Sequence, residues 1–215
     1  MTDTKSHLRQ SFKMKDLGVL KHFLGIDFRR IKGQIFMSQE EYILKILKRF
    51  GMSDCKPRAT PCEPNPKVYE KEGDEPVDQT SYRQMVGSLI YVMVCTRPDL
   101  SYAVTKLSQT LSCPTAADLM MLKHVFRYLK KTSDYCLIYS KSSIDLQIFA
   151  YCDADWAASK DRRSISGYCI SLNPKGPLVS WKSKRQNSIA LSTCEAEYVA
   201  MSITCLLYTS DAADE

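Results

Sequence analysis

The residues of this chain best suited to chemistry are four carboxylates in two short strings. Tyr151-Cys-Asp-Ala-Asp-Trp156 carries Asp153 and Asp155. Downstream, Ser192-Thr-Cys-Glu-Ala-Glu-Tyr-Val-Ala200 carries Glu195 and Glu197. The first string reads as the end of a strand and the second as the start of a helix. A strand-borne Asp and a helix-borne Glu, separated by two further strands, are the parts from which a metal-dependent nuclease assembles a carboxylate cluster. Hard cations such as Mg²⁺ take oxygen ligands, and such ions activate water and stabilise the leaving oxygen in phosphodiester cleavage. The two glutamates differ in prospect. Ser192-Thr-Cys-Glu195 is a capping box, so Glu195 at N3 is expected to reach back to the cap. Glu197 is left for other work. Asp155 shares a strand face with Asp153 and reads equally as an exposed strand-end residue.

The elements that must position these groups follow from periodicity. Tyr135 to Tyr139, Leu146 to Tyr151, Ser164 to Leu172 and Leu178 to Lys182 read as strands, with Asn173-Pro-Lys-Gly176 as a turn. Upstream, Phe23 to Phe28 and Gly33 to Met37 read as a hairpin turning near Lys32-Gly33. Ser38-Gln-Glu-Glu41 reads as a capping box with Ser38 as N-cap. It opens a helix whose stripe is Tyr42, Ile43, Ile46, Leu47 and Phe50, with Gly51 ending it. Residues 52–79 hold prolines at 57, 61, 64, 66 and 76 and many charges, the composition of a linker without its own core. Thr80 is the expected cap of a helix through Tyr82, Met85, Val86, Leu89 and Ile90. Pro98 and Asp99 suit the first turn of the next, running to about Leu111. A third begins near Pro114-Thr115, with Leu119, Leu122, Val125, Phe126 and Leu129 on one face and Lys130 and Lys131 in its last turn. The expected boundary lies near residue 140: helices before it, a small antiparallel sheet plus a helix after it. The fold class is α+β.

Bulk composition narrows the function classes. At 215 residues, with 44% apolar and 25% charged residues, the chain has globular composition. No apolar run approaches the roughly 18 residues of a membrane span, and the first ten residues have no apolar core of a secretory signal. Nine cysteines with no Cys-x-x-Cys pair argue for free thiols rather than a disulfide framework or a zinc site. Cys95, Cys136 and Cys169 sit within apolar runs as small core residues. The net charge of +6 is modest, but the basic residues gather at Lys160-Asp-Arg-Arg163 and Lys182-Ser-Lys-Arg185. That pattern suits a polyanionic partner, and equally a solvated basic face. Trp156 and Trp181 read as core or edge aromatics rather than base-stacking platforms.

Several strings taken together resemble a Ty1/copia-type retrotransposon polyprotein at the junction of reverse transcriptase and ribonuclease H, from about Leu8 to Thr204. Phe12-Lys-Met-Lys-Asp-Leu-Gly18 with Phe23-Leu-Gly-Ile26 resembles the segment after the polymerase active site. Tyr82-Arg-Gln-Met-Val-Gly-Ser-Leu-Ile-Tyr91 with Thr96-Arg-Pro-Asp-Leu100 resembles the thumb and connecting region. Tyr151-Cys-Asp-Ala-Asp-Trp-Ala157, Asp161-Arg-Arg-Ser-Ile-Ser-Gly-Tyr168, Val179-Ser-Trp-Lys-Ser-Lys-Arg-Gln186 and Ala190-Leu-Ser-Thr-Cys-Glu-Ala-Glu-Tyr198 resemble the ribonuclease H domain. Each string alone is weak; their order and spacing carry the resemblance.

The resemblance implies a domain plan: the end of the palm and start of the thumb over 1–51, a Pro-rich linker over 52–79, a helical thumb and connection region over 80–139, and the first part of a ribonuclease H-like domain over 140–204. It implies that Asp153 bridges two Mg²⁺ ions and Glu197 holds one of them. Arg162, Arg163, Lys182, Lys184 and Arg185 are the expected backbone-phosphate contacts to an RNA–DNA hybrid or other nucleic acid. The remainder of the polyprotein is an implied partner and a membrane is not. The implied location is a cytoplasmic virus-like particle, with the nucleus as a further site.

The chain also departs from the family. No Tyr-x-Asp-Asp polymerase motif is present, and the two later nuclease carboxylates of the family, one in an Asp-Asn strand motif, are missing. The expectation is a chain without polymerase activity, unable alone to hold two Mg²⁺ ions tightly. Its 140–204 part is expected to be poorly stable, with an open sheet edge and an uncovered apolar face. A non-catalytic nucleic-acid-binding module and a relic of a dead element are the other readings.

The tail Cys205-Leu-Leu-Tyr-Thr-Ser-Asp-Ala-Ala-Asp-Glu215 fits none of this. It matches the translation of an end sequence used in transposase-based sequencing libraries, which leads to the expectation that residues 205–215 are adapter read-through. Without Asp211, Asp214 and Glu215 the net charge of +6 would rise by three. Sequencing the parent locus past the codon for Thr204 checks this. A locus diverging from the library sequence after Thr204 is the expected result, and genomic DNA that encodes the tail in other codons refutes it.

Overall fold

The computed structural model describes residues 2–63, 75–141, 147–158, 161–174 and 176–209. The elements run in the order α1 (Thr2–Ser11), β1 (His22–Phe23), β2 (Ile26–Ile31), β3 (Gln34–Ser38), α2 (Glu40–Arg49), α3 (Gln79–Cys95), a 3₁₀ turn (Pro98–Leu100), α4 (Ser101–Ser108), α5 (Ala116–Lys131), β4 (Cys136–Ser140), β5 (Phe149–Asp155), β6 (Ile165–Ser171), β7 (Leu178–Arg185) and α6 (Thr193–Thr209). The architecture is α+β, with two antiparallel sheets in the orders β1-β2-β3-β4 and β5-β6-β7.

The first sheet is built by two tight turns. Lys32-Gly33 joins β2 to β3 with both residues at positive φ (49° and 79°), the primed turn that matches strand twist. The expected strand from Phe23 to Phe28 is split, because Leu24-Gly25 makes a second turn of the same kind (49° and 68°) and folds β1 back on β2. The Tyr91 hydroxyl, from α3, donates to the Leu24 carbonyl at this turn. The strand expected from Tyr135 to Tyr139 is present, but it joins the first sheet and not the second. Cys136–Ser140 is a strand, and it pairs with β3 of the first sheet from Gln34↔Ser140 to Ser38↔Cys136. Alternation between Cys136 and Ser140 cannot reveal this partner, which lies about a hundred residues away.

Two expected caps also shift. Ser38 ends β3, its Oγ accepts from the Glu40 N–H, and Gln39 is the N-cap of α2 without a side-chain capping bond. Asp78, not Thr80, caps α3, accepting from the N–H groups of Thr80 and Ser81. An acceptor bearing two oxygens can serve two orphan N–H groups at once. Thr115 and Asp118 form a reciprocal capping box on α5.

The core lies among α2, α3, α4 and α5. Ile43, Val86, Leu89, Val92, Leu107, Leu122, Val125, Phe126 and Leu129 are all fully buried there. Up to Asp78, the described residues of the 52–79 stretch form no helix or strand, as its composition suggested, but they are not a free linker. Met52, Cys55 and Cys62 pack against this core. Arg127 Nε donates to the Lys56 carbonyl, Lys130 Nζ to the Cys55 carbonyl, and the Arg58 N–H to the Arg127 carbonyl. Residues 64–74 lie outside the described residues, as do Lys160 of the first basic cluster and 210–215 of the tail. Helix α6 itself runs past Thr204 to Thr209.

One polar residue sits at the centre of this packing. Arg97 is 1% exposed. Its Nε and Nη2 donate to the two carboxylate oxygens of Asp99 at 3.0 and 2.7 Å. Its Nη1 donates to the Thr132 carbonyl and its Nη2 to the Thr132 Oγ1. The guanidinium also lies over the Tyr128 and Tyr135 rings, and the Tyr128 hydroxyl donates to Asp99. Burying a charge is costly unless it is paired and its donors are filled, and here they are.

Two predictions follow from this centre. Arg97→Met removes the guanidinium that pairs with Asp99 and donates to Thr132, and its unfolding free energy in urea should fall by about 3 kcal/mol, the lower end for a broken buried pair because Asp99 is partly exposed. An unchanged denaturation midpoint would contradict this role. Burial, and then the bond to Asp99, pushes the Tyr128 phenol up to about 12, and burial does the same for Tyr82. An unfolded tyrosine titrates near 10. The stabilisation from keeping these phenols neutral is therefore complete below about pH 10 and is lost as pH rises toward 12. Absorbance of tyrosinate should show a late-titrating class that Tyr128→Phe diminishes.

Candidate functional site

The second sheet has two differently occupied faces, set by the alternation of its side chains. In register, Asp153 stands opposite Gly167 and Ser183, and Asp155 opposite Ile165. This face turns toward α3 and α4. Trp181 Nε1 donates to the Met93 carbonyl at 2.9 Å, Thr105 Oγ1 donates to the Ser183 carbonyl, and the Tyr102 hydroxyl donates to Asp155 at 2.8 Å. Helix α6 covers the other face. Gln186 Nε2 bridges the Ser166 hydroxyl and the Ala196 carbonyl, and Ala196, Ala200 and Thr204 form the buried stripe of the helix.

Between the first face and the 3₁₀ turn with α4 lies a cleft of about 510 Å³ lined by Asp99, Tyr102, Asp153, Asp155, Trp181 and Lys182, among others. Burial, and then the Asp155 carboxylate, raise the Tyr102 phenol, so it stays a donor. Burial also raises the Cys169 thiol on the same wall, which keeps it a poor nucleophile. Glu197 is not among the lining residues of this cleft. It is half-buried in the first turns of α6, on the helix that packs chiefly on the edge strand β5. Asp153 and Asp155 are thus brought together with Asp99, and Asp153 and Glu197 belong to elements that meet at the sheet edge from opposite faces.

Glu195 reaches back toward the cap as expected, but to the residue before it. The Glu195 N–H donates to the Ser192 Oγ at 3.1 Å, and its carboxylate accepts from the Leu191 N–H at 2.7 Å. Both tryptophans bond by their indole N–H to backbone, Trp156 to the Ala190 carbonyl and Trp181 to Met93, as edge and docking residues.

The five expected phosphate contacts divide three ways. Arg163 and Arg185 both pair with Asp161, at 3.4 and 3.1 Å. Arg162, at positive φ (62°), lies over the Trp156 ring. Lys182 and Lys184 are exposed and line a second cleft on the α6 side with Tyr168, Ile203, Leu206 and Leu207. A run that reads as one basic patch is therefore split by strand alternation.

The carboxylates of Asp153 and Glu197 are the right donors for Mg²⁺. Among the described residues, neither belongs to a group of three metal-capable side chains at metal-ligand spacing. These residues do not by themselves make a two-ion centre. The three metal-capable groups that do converge are His22, Asp27 and Glu41, at the far end of the molecule in sequence, and no motif in the chain signalled them. Asp99 and Tyr102, also missed as cleft residues, carried only the signal of a Pro-Asp helix start.

Comparison with known proteins accords with this mixed architecture. Residues 1–64 match the model of the family described as reverse transcriptase (RNA-dependent DNA polymerase). The chain is 41% identical over 203 residues to the retrovirus-related Pol polyprotein from transposon RE1 of Arabidopsis thaliana, covering 94% of this chain and 14% of that protein. It is 39% identical over 209 residues to the corresponding polyprotein from transposon TNT 1-94 of Nicotiana tabacum, covering 93% of this chain and 15% of that protein. An uncharacterized mitochondrial protein of Arabidopsis thaliana, AtMg00810, is 40% identical over 209 residues, which is 96% of this chain and 84% of that protein. No solved structure matches the chain. Similarity at this level along nearly the whole chain, over a span that is a small part of each polyprotein, shows that the chain belongs to the family of copia-type retrotransposon Pol polyproteins.

Proposed function

We propose that this chain is the part of a retrotransposon RNA-directed DNA polymerase/ribonuclease H in which the polymerase thumb and connection lead into the nuclease domain. Within the full polyprotein, that enzyme would copy RNA into DNA and cleave the RNA of RNA–DNA hybrids with Mg²⁺. The observation that carries the reading is the order β5-β6-β7 followed by α6, with Asp153 on the edge strand and Glu197 on the helix that packs there. In this assignment Asp153 and Glu197 hold metal, and the ligands missing from this chain come from the rest of the polyprotein. The chain alone would be inactive. Apolar residues exposed on α6, Tyr198 at 71% and Met201 at 55%, suit a surface that the remaining polyprotein covers. A cytoplasmic particle, with passage to the nucleus, is the location such a function requires.

Arg162, Arg163, Lys182, Lys184 and Arg185 would contact the phosphate backbone. Because Arg163 and Arg185 share Asp161, three to five phosphates are the expected number neutralised. Affinity for a hybrid should then drop roughly 40- to 500-fold between 50 and 200 mM salt. The second reading, a binding module without chemistry, is favoured because, among the described residues, neither Asp153 nor Glu197 belongs to a group of three metal-capable side chains.

The test uses fluorescence anisotropy and cleavage of an RNA–DNA hybrid, with this chain and with its parent polyprotein. The chain should bind in a salt-dependent way and not cleave. In the polyprotein, Asp153→Ala and Glu197→Gln should each abolish cleavage while leaving binding within about twofold, since neither carboxylate faces the backbone phosphates as a cation would. Cleavage at the wild-type rate by either variant would remove that residue from the site. A polyprotein that binds but never cleaves would establish the binding-only reading.

A further inference from the structure

We propose that His22, Asp27 and Glu41 form a binding site for a divalent transition-metal ion, separate from the carboxylates of the second sheet. The three residues come from three elements: His22 from β1, Asp27 from β2 and Glu41 from the first turn of α2. Two of them are fixed by the backbone. His22 and Asp27 are direct cross-strand partners in the short β1-β2 pair, a spacing at which side chains on one face meet. The turn at Leu24-Gly25 sets that register, and the hydroxyl of Tyr91 on α3 holds it. Asp27 in turn stands opposite Ser38, and the Ser38 Oγ accepts from the Glu40 N–H, so the start of α2 and Glu41 are tied to the same point on β2. The sheet and the helix start thus bring the side chains together without help from any one loop.

The spacing fits a single ion. His22 Nδ1 and Asp27 Oδ1 are 2.7 Å apart, and the ligand atoms of all three residues lie within 4.8 Å of one another. Ligands with bonds of about 2.1 Å are separated by roughly 3.0 to 3.4 Å in tetrahedral or cis positions, so closure needs side-chain movements of up to about 1 to 2 Å, within reach of a rotamer adjustment. The side chains can make such shifts, since the His22 side chain is 56% exposed and that of Asp27 26%. Among the described residues, neither carboxylate is paired with a Lys or Arg side chain. Two acids converging on one imidazole, neither of them in a direct ion pair with Lys or Arg among the described residues, leave an arrangement that a dication balances. One imidazole and two carboxylates suit Mn²⁺ or Zn²⁺ better than Mg²⁺, which prefers oxygen ligands alone. Asp27 and Glu41 also open onto a cleft of about 650 Å³ lined by Lys21, Arg29 and Arg30, so waters and an anionic group can complete the coordination.

Mn²⁺ is the probe of choice, because the nine thiols of the chain would compete for Zn²⁺. Electron paramagnetic resonance of free Mn²⁺ would count the ions bound by the full chain, by His22→Ala, by Glu41→Gln and by Asp153→Asn. The expected result is one ion whose affinity falls roughly 10- to 100-fold or more in His22→Ala and in Glu41→Gln, and which Asp153→Asn leaves in place. Unchanged Mn²⁺ binding in both His22→Ala and Glu41→Gln would overturn the proposal, as would binding abolished by Asp153→Asn alone. Circular dichroism melts of the exposed-site variants should match the metal-free wild type, which separates a lost ligand from a lost fold. Failure here would leave the hybrid-cleavage reading untouched, since the two sites share no residue.

Discussion

The buried guanidinium of Arg97 is the constraint around which the rest of this protein is arranged. A fully desolvated Arg must fill its donors and find a counter-charge, and it does so only if four segments meet at one point. The end of α3 supplies the residue. The 3₁₀ turn supplies Asp99, the end of α5 supplies Thr132 and Tyr128, and the run into β4 supplies Tyr135. Because β4 then pairs with β3, the same point fixes where the first sheet sits against the helices. Asp99 has a second duty, since it lines the cleft that also holds Asp153 and Asp155. Core and candidate site are therefore coupled through one carboxylate.

The second sheet is attached to this body largely by polar tips. Trp181, Thr105 and Tyr102 each make one hydrogen bond across the joint, and Tyr139 donates from β4 to the Leu178 carbonyl at the start of β7. Such bonds contribute about 1 kcal/mol each, and they orient more than they hold. The joint is accordingly open enough to leave a cleft. The consequence for the site is geometric: one face of the sheet looks into the cleft with two aspartates, while the other takes the helix bearing Glu197.

The basic residues show the same division. Lys182, Lys184 and Arg185 lie within four positions of sequence, yet Arg185 turns to Asp161 while Lys182 and Lys184 share a cleft with Ile203, Leu206 and Leu207 on the α6 side. Period-two alternation guarantees that neighbours on a strand face opposite ways. Clustering in sequence on a strand is a weaker sign of a binding patch than the same clustering on a loop.

What the sequence determined by itself is what depends on neighbours in the chain. The Lys32-Gly33 turn, the apolar stripe of α2, the end of that helix at Gly51, the helices around 80–131 and the capping role of Glu195 were all legible, because each rests on contacts within a few residues. So was the family, through strings whose order matters more than their shape. What only the tertiary structure decided is what joins distant segments. The docking of residues 52–63 on α5, the pairing of β4 with β3, the burial of Arg97 and the meeting of His22, Asp27 and Glu41 all close loops too long for local pattern to register. The choice among such closures is made by where buried polar groups can all be satisfied at once, a condition on the whole fold and not on any window of its sequence.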